Sequence, residues 1–245
     1  MTPHCRLRGP PLSEHRPRGL HGQTVETLAA RILSDEWGEG TVLDLPALRE
    51  ELDISLTALR EALKVLAAKG MIDARQKRGT FVQPREQWNM LDTDVMRWQT
   101  AASDDPGLLD ELTEVRTVVE PAAARIAAER ADPADLAALQ AALDDMTTAG
   151  DDPEASVRAD LTFHRALMTA THNNFLLQVE RVIAIGLAER DKLVHGSGPS
   201  DNPVPSHRKV LDAILARDPG AAESAMFALV TKSRDDLDKA KKSRR

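Results

Sequence analysis

Residues 55–82 confine the fold more than any other stretch of the chain. Ser55 is a good N-cap type, and Leu59, Leu63 and Leu66 follow at helical spacing, with Thr57, Arg60 and Lys64 on the other side. Lys69-Gly70 reads as a helix stop, since glycine takes the left-handed conformation that ends a helix. Met71–Arg75 and Thr80–Val82 then bracket Gln76-Lys77-Arg78-Gly79, and two short strand-like runs around a basic turn with glycine predict a hairpin. Upstream, Val25, Leu28 and Ile32 share a helical face up to the turn signal Trp37-Gly38-Glu39-Gly40. Pro46–Leu52 suits a second short helix with proline in its first turn. Three helices and a hairpin within about 60 residues predict a winged helix-turn-helix. Its third helix would turn Thr57, Arg60 and Lys64 outward, and a DNA major groove is wide enough to admit it. Lys77 and Arg78 at the hairpin tip would reach phosphates or a neighbouring minor groove. A small helical domain with a solvated polar face would show the same spacing.

Charge bears on that choice. The chain of 245 residues has a net charge of −7, which taken alone argues against nucleic acid. Its distribution argues the other way: residues 56–85 hold seven basic and two acidic side chains, net +5, and residues 87–245 are net −8. An acidic body carrying a short basic segment suits a DNA-binding head on a sensor domain; a solvated basic surface gives the same count. The one cysteine, Cys5, excludes an intrachain disulfide and a cysteine-based zinc finger. The apolar runs are far too short for a membrane span, and the N-terminus lacks the apolar core of a secretory signal. The expectation is a soluble, cytoplasmic protein.

The rest of the chain predicts helices. Residues 1–19, rich in Pro, Arg and Gly, read as a disordered basic tail, 20–84 as the head, and 85–106 as a linker ending at Ser103-Asp104-Asp105-Pro106. Residues 107–237 read as six antiparallel helices: Gly107 to about Glu129, Pro133 to near Gly150, Pro153 to Thr171, Phe175 to about Val194, His207–Arg217 and about Ala221 to Leu237. Gly196–Pro205 reads as a loop, and 238–245 as a basic tail.

Polar residues fall on the apolar faces of this bundle. Asp160 and His164 are four apart and would stack on one side of a helix, where His164 shares a stripe with Val157, Leu161 and Met168. His207 is in line with Val210, Leu211 and Ile214. One carboxylate and two imidazoles converging inside a bundle suit a divalent ion of the zinc, nickel or manganese type; core hydrogen bonding or a solvated edge is the plainer alternative. Arg116 borders the stripe of the first bundle helix and could clamp a carboxylate or pair with Glu120 at i+4. Asn173-Asn174 marks a turn. No P-loop, HExxH, G-x-S-x-G or complete dinucleotide loop is present, so the chain is not read as an enzyme.

Ile54–Leu66, Lys69-Gly70-Met71-Ile72 and Arg78–Val82 together resemble the GntR-type winged helix. Glu114-Val115-Arg116 with Glu120-Pro121, Asp160 with Phe163-His164, and His207-Arg208 with Val210–Ile214 resemble the FCD ligand-binding domain of the FadR-like branch. Trp88–Val95 is similar to the linker of regulators of sugar-acid catabolism. The resemblance spans about residues 20–235 and implies a mainly α protein, a winged helix-turn-helix followed by a six- to seven-helix FCD bundle. It implies a homodimeric regulator, usually a repressor, that binds double-stranded operator DNA and is released by a small organic acid, here a sugar acid. Ser55, Thr57, Arg60, Lys64, Gln76, Lys77 and Arg78 become DNA-binding candidates, Arg116 and Asn173 effector-binding candidates, and Asp160, His164 and His207 metal ligands. Two positions depart from the family pattern. Leu56 stands where an arginine is usual, and Leu229 stands at the fourth metal ligand, which predicts a weakly held ion. A metal-dependent bundle enzyme and a metal-sensing repressor are the competing readings.

Overall fold

The computed structural model describes residues 19–102, 106–150, 152–196 and 202–243; the expected N-terminal tail lies outside them, apart from Gly19. The chain divides into two units, Met1–Asn89 and Met90–Arg245.

In the first unit, α1 (Gly19–Leu33), α2 (Leu45–Glu51) and α3 (Leu56–Ala68) precede β1 (Ile72–Arg75) and β2 (Gly79–Val82). The strands pair antiparallel with Ile72 opposite Val82 and Arg75 opposite Gly79, and Val42 adds a bridge to Phe81. Asp44 and Ser55 cap α2 and α3 by accepting from the backbone N–H of Ala47 and Ala58. Every element contributes buried residues, among them Leu28, Leu48, Leu59, Leu66, Ile72 and Phe81. Gly70 ends α3 at φ +76°, and a Cβ there would stand 2.2 Å from the carbonyl oxygen of Gln87. Backbone conformation and space both demand glycine.

The second unit holds α4 (Thr93–Ala102), α5 (Pro106–Arg130), α6 (Pro133–Ala149), α7 (Pro153–Ala170), α8 (Asn174–Gly196), α9 (Val204–Leu215) and α10 (Pro219–Ser243). Asp132 and Asp152 cap α6 and α7 just ahead of Pro133 and Pro153, whose missing N–H costs nothing in a first turn. The core runs mostly through small and aliphatic side chains packed round Phe163, from Ala124 and Ala127 of α5 through Leu139 and Leu143 to Leu211, Met226 and Val230. Helix α5 lies along α10 and α6 along α7, and α8 packs on both α7 and α4. At Gly186 of α8 a Cβ would stand 1.9 Å from Leu112 Cδ2 of α5, with Met96 Cε of α4 at 3.2 Å. Pro121 sits inside α5, where it removes one backbone donor.

Three boundaries differ from the sequence expectation. The supposed linker 85–106 holds α4, which buries Val95, Met96, Trp98 and Gln99 and joins the second unit. Asp92 accepts from the N–H of Asp94 and Val95 and so caps it, an N-cap signal hidden in a polar stretch. Helix α9 begins at Val204 rather than His207, because Pro205 is tolerated in a first turn. The expected tail 238–245 is helical through Ser243, held by the buried Leu237 and Ala240.

Candidate functional site

Two places concentrate candidate residues, one in each unit. In the first, α3 turns Thr57, Arg60 and Lys64 to solvent opposite the buried Leu59, Ala62, Leu63 and Leu66. Lys64 Nζ is 2.7 Å from Glu61 Oε1, so its charge is partly met within the helix. The turn residues Gln76, Lys77 and Arg78 are exposed, with Lys77 at φ 69°. The Arg78 guanidinium stacks 3.5 Å over the Phe81 ring, which anchors the base of the hairpin while leaving the cation exposed.

In the second unit, α5, α7, α8, α9 and α10 surround a cleft of about 590 Å³, open solvent at its mouth included. Asp160 and His164 reach it from α7, His207 from α9, Arg116 from α5, Arg190 and Asp191 from α8, and Leu229, Lys232, Ser233 and Asp236 from α10. One ligand atom each from Asp160, His164 and His207 lies within 4.8 Å of the others. His207 Nε2 is 3.0 Å from Asp160 Oδ1, and His164 Nε2 is 3.7 Å from Asp160 Oδ2. These two imidazole nitrogens are buried without a hydrogen-bond partner.

The outer nitrogens explain the orientation. His207 Nδ1 is 2.9 Å from the carbonyl oxygen of Pro203. A carbonyl only accepts, so Nδ1 carries a proton, and Nε2 is turned toward a carboxylate oxygen. An imidazole nitrogen and a carboxylate oxygen at that distance need a proton or a metal ion between them. His164 Nδ1 lies 3.1 Å from Glu120 Oε2, close but without the alignment of a hydrogen bond. An oxygen behind each ligating imidazole is the usual support of a metal site. The donor set fits a divalent ion.

A buried ion pair backs this arrangement. Arg116 Nε is 2.7 Å from Glu120 Oε1, its Nη2 is 3.3 Å from Oε2, and its Nη1 reaches Ser233 Oγ at 3.3 Å. Burial alone would raise the Glu120 carboxyl, but Arg116 and His164 override it and hold it at about 2. Burial is likewise overridden at Asp160, which His164 and His207 keep well below the ordinary carboxylate range. His164 is raised, because Glu120 and Asp160 outweigh its burial. Asp191, pushed up to about 6 by burial and by Asp160, is the one carboxyl of the cleft that goes the other way. Arg190 pairs with it and also donates to the Ser233 carbonyl at 2.8 Å.

Comparison with known proteins fits both units. Residues 20–82 match the gntR family of bacterial regulatory proteins and residues 111–232 match the FCD domain. The chain is 38% identical over 214 residues to the galactonate operon transcriptional repressor of Escherichia coli K12, covering 85% of this chain and 93% of that protein. The chain belongs to the GntR family. It is also 30% identical over 213 residues to the transcriptional regulator LutR of Bacillus subtilis 168, covering 84% of this chain and 95% of LutR. A solved structure of Lar, which controls expression of the Listeria monocytogenes agr system, shares the fold. Its TM-score is 0.62 at 15% identity, over 91% of this chain and 99% of that one. This GntR protein is therefore a DNA-binding transcription regulator with an FCD domain, and not an enzyme.

Within the GntR frame, the structure brings together Arg116, Asp160, His164 and His207, and it sets Leu229 in the same wall. It does not bring Asn173 there. That side chain accepts from the N–H of Phe175 and Leu176 and caps α8, as asparagine commonly does. Ser55 likewise spends its oxygen on the α3 cap, keeping its hydroxyl hydrogen for a further partner. Sequence reasoning named Glu120 only as a partner for Arg116 and missed its place behind His164. Arg190, Asp191, Lys232, Ser233 and Asp236 were also missed; α8 and α10 carry them without a motif. A second cluster, Asp132, Asp135 and His172, lies at the exposed start of α6, but its carboxylates serve the α6 capping box and His172 bonds Asp135 at 2.7 Å. Among the described residues no helix is long and apolar enough to cross a membrane.

Proposed function

We propose that this GntR regulator is a cytoplasmic homodimeric repressor that leaves its operator when a small sugar acid enters the FCD cleft together with a divalent ion of the zinc, nickel or manganese type. The observation that carries the reading is the trio of Asp160, His164 and His207, with two inner imidazole nitrogens buried and unpartnered beside the Arg116 guanidinium. Those three residues would hold the ion. When bound, it supplies a Lewis acid that accepts carboxylate and hydroxyl oxygens. Arg116 keeps its remaining Nη hydrogens for an acid oxygen, because Glu120 and Ser233 occupy only part of its fork. Lys232 adds a further cation in the cleft wall beside Arg116 and Arg190, paired with Asp236 at 3.0 Å. Leu229 offers hydrocarbon where a fourth donor would stand, so water or the acid completes the shell and the ion is weakly held. In the head, Thr57, Arg60 and Lys64 read the groove from α3, and Gln76, Lys77 and Arg78 meet the backbone from the hairpin. The exposed Val115 and Val118 of α5 give a second copy an apolar surface to cover.

The test uses DNA selected by the full-length protein from a random pool. With zinc present, D-galactonate and related aldonic acids should raise the melting temperature and release the selected DNA. A protein that selects a palindrome yet shows neither effect with any aldonic acid, and holds no metal after metal is added back, refutes the effector reading and leaves the DNA-binding one intact.

A further inference from the structure

In the first unit two large apolar side chains are exposed among the described residues, Val42 and Leu56. Val42 has a local role, since it bridges to Phe81 and lies 3.5 Å from where a Cβ on Gly79 would stand. Leu56 is 38% exposed and is the first residue of α3. The core contacts of that helix are made by Leu59, Ala62, Leu63 and Leu66. Leu56, Arg60 and Lys64 follow one another at four-residue steps, so they form a single row along the exposed side. Residues at the N-terminal end of a groove-reading helix are the ones that reach base edges.

The chemistry of the row is uneven. Arg60 can donate two hydrogen bonds to a guanine edge. A leucine can neither donate nor accept, and buried against amino or carbonyl groups it would only strip them of water. The one apolar group in the major groove is the C5 methyl of thymine. A four-residue step is about 6 Å along a helix axis and a base step about 3.4 Å, so side chains one turn apart address bases about two pairs apart.

We propose that Leu56 is a specificity-determining residue of the operator contact, selecting a thymine through its methyl group within two base pairs of the base that Arg60 reads. The proposal rests on α3 being the groove-reading helix, and the experiment separates the two. Full-length protein selects its operator from random DNA, and each thymine of the selected half-site is then replaced singly by deoxyuridine, which lacks only the methyl. One thymine per half-site should lose about fourfold in affinity, the equivalent of burying one methyl-sized group. In Leu56→Ala, thymine and deoxyuridine should bind alike at that position. Leu56→Gln, which keeps the length of the side chain and removes its apolar end, should give the same result. Deoxyuridine tolerated at every position overturns the proposal. So does a penalty that persists in both variants, which would make the Thr57 methyl the reader. Wild-type affinity and selectivity in Arg60→Ala would overturn the groove-helix reading itself.

Discussion

Arg116→Met should be among the most damaging single changes in the cleft, and a second substitution should undo much of the damage. The Arg116 and Glu120 side chains are 3% and 0% exposed. Removing the guanidinium leaves the carboxylate buried, with only the poorly aligned His164 beside it. A Glu120 carboxyl held at about 2 against an ordinary 4.5 represents about 3 kcal/mol of stability at neutral pH, after its own desolvation is included. Breaking one side of a buried pair costs about 3–5 kcal/mol, so Arg116→Met should fall in that range. Adding Glu120→Gln removes the stranded charge and keeps an oxygen behind His164. The double variant should regain about 2 kcal/mol or more. The pH dependence has a definite sign: a carboxyl lowered on folding contributes fully above its unfolded value of 4.5 and loses that contribution as pH falls through about 2. The gap between wild type and Arg116→Met should therefore be widest near neutrality and narrow below about pH 4.5. Urea unfolding followed by helical circular dichroism, on chelator-treated protein at several pH values, measures both effects. A cost under about 1 kcal/mol for the single change, or a double variant worse than either single, would show that the pair does not carry the stability assigned to it.

Arg60→Ala should weaken binding to the selected operator by about 1–3 kcal/mol if it reads a base, and flatten the salt dependence for all DNA alike if it touches only phosphate; titrations at several salt concentrations tell these apart. Leu229→His should tighten metal binding, because it returns a donor to the cleft wall, and elemental analysis after dialysis checks it. Stoichiometric metal surviving a chelator in the wild type would show that Leu229 does not weaken the site. Gly70→Ala should lower stability by more than the ordinary glycine-to-alanine difference of about 1 kcal/mol, through its positive φ and its approach to Gln87, as read from the shift in urea midpoint.

The head was legible because local chemistry and tertiary role coincide there. Ser55 caps, Gly70 stops and the α3 leucines bury as their spacing says. The inward Asp160, His164 and His207 were legible for the same reason, being polar residues on otherwise apolar faces. Helix α4 was not, because half of its surface is polar and its buried half, Val95, Met96 and Trp98, is too short to show a period. Asp191 was hidden differently. On a helix it looks like any surface acid, and only the approach of α10 and α7 makes it a buried carboxyl. Asn173 was misplaced because its type serves a cap as readily as a ligand, and the turn before α8 had the first claim on it.

The close approach at Gly186 ties the position of α8 to that of α5. Leu112 leaves no room for even a methyl group there. Leu187, Arg190, Asp191 and Val194 line the cleft on one side of that point, within about 12 Å along the axis. Toward its other end, Phe175 stands in solvent about 16 Å away. Any side chain at position 186 would therefore push α8 away from α5 and carry that wall of the cleft with it.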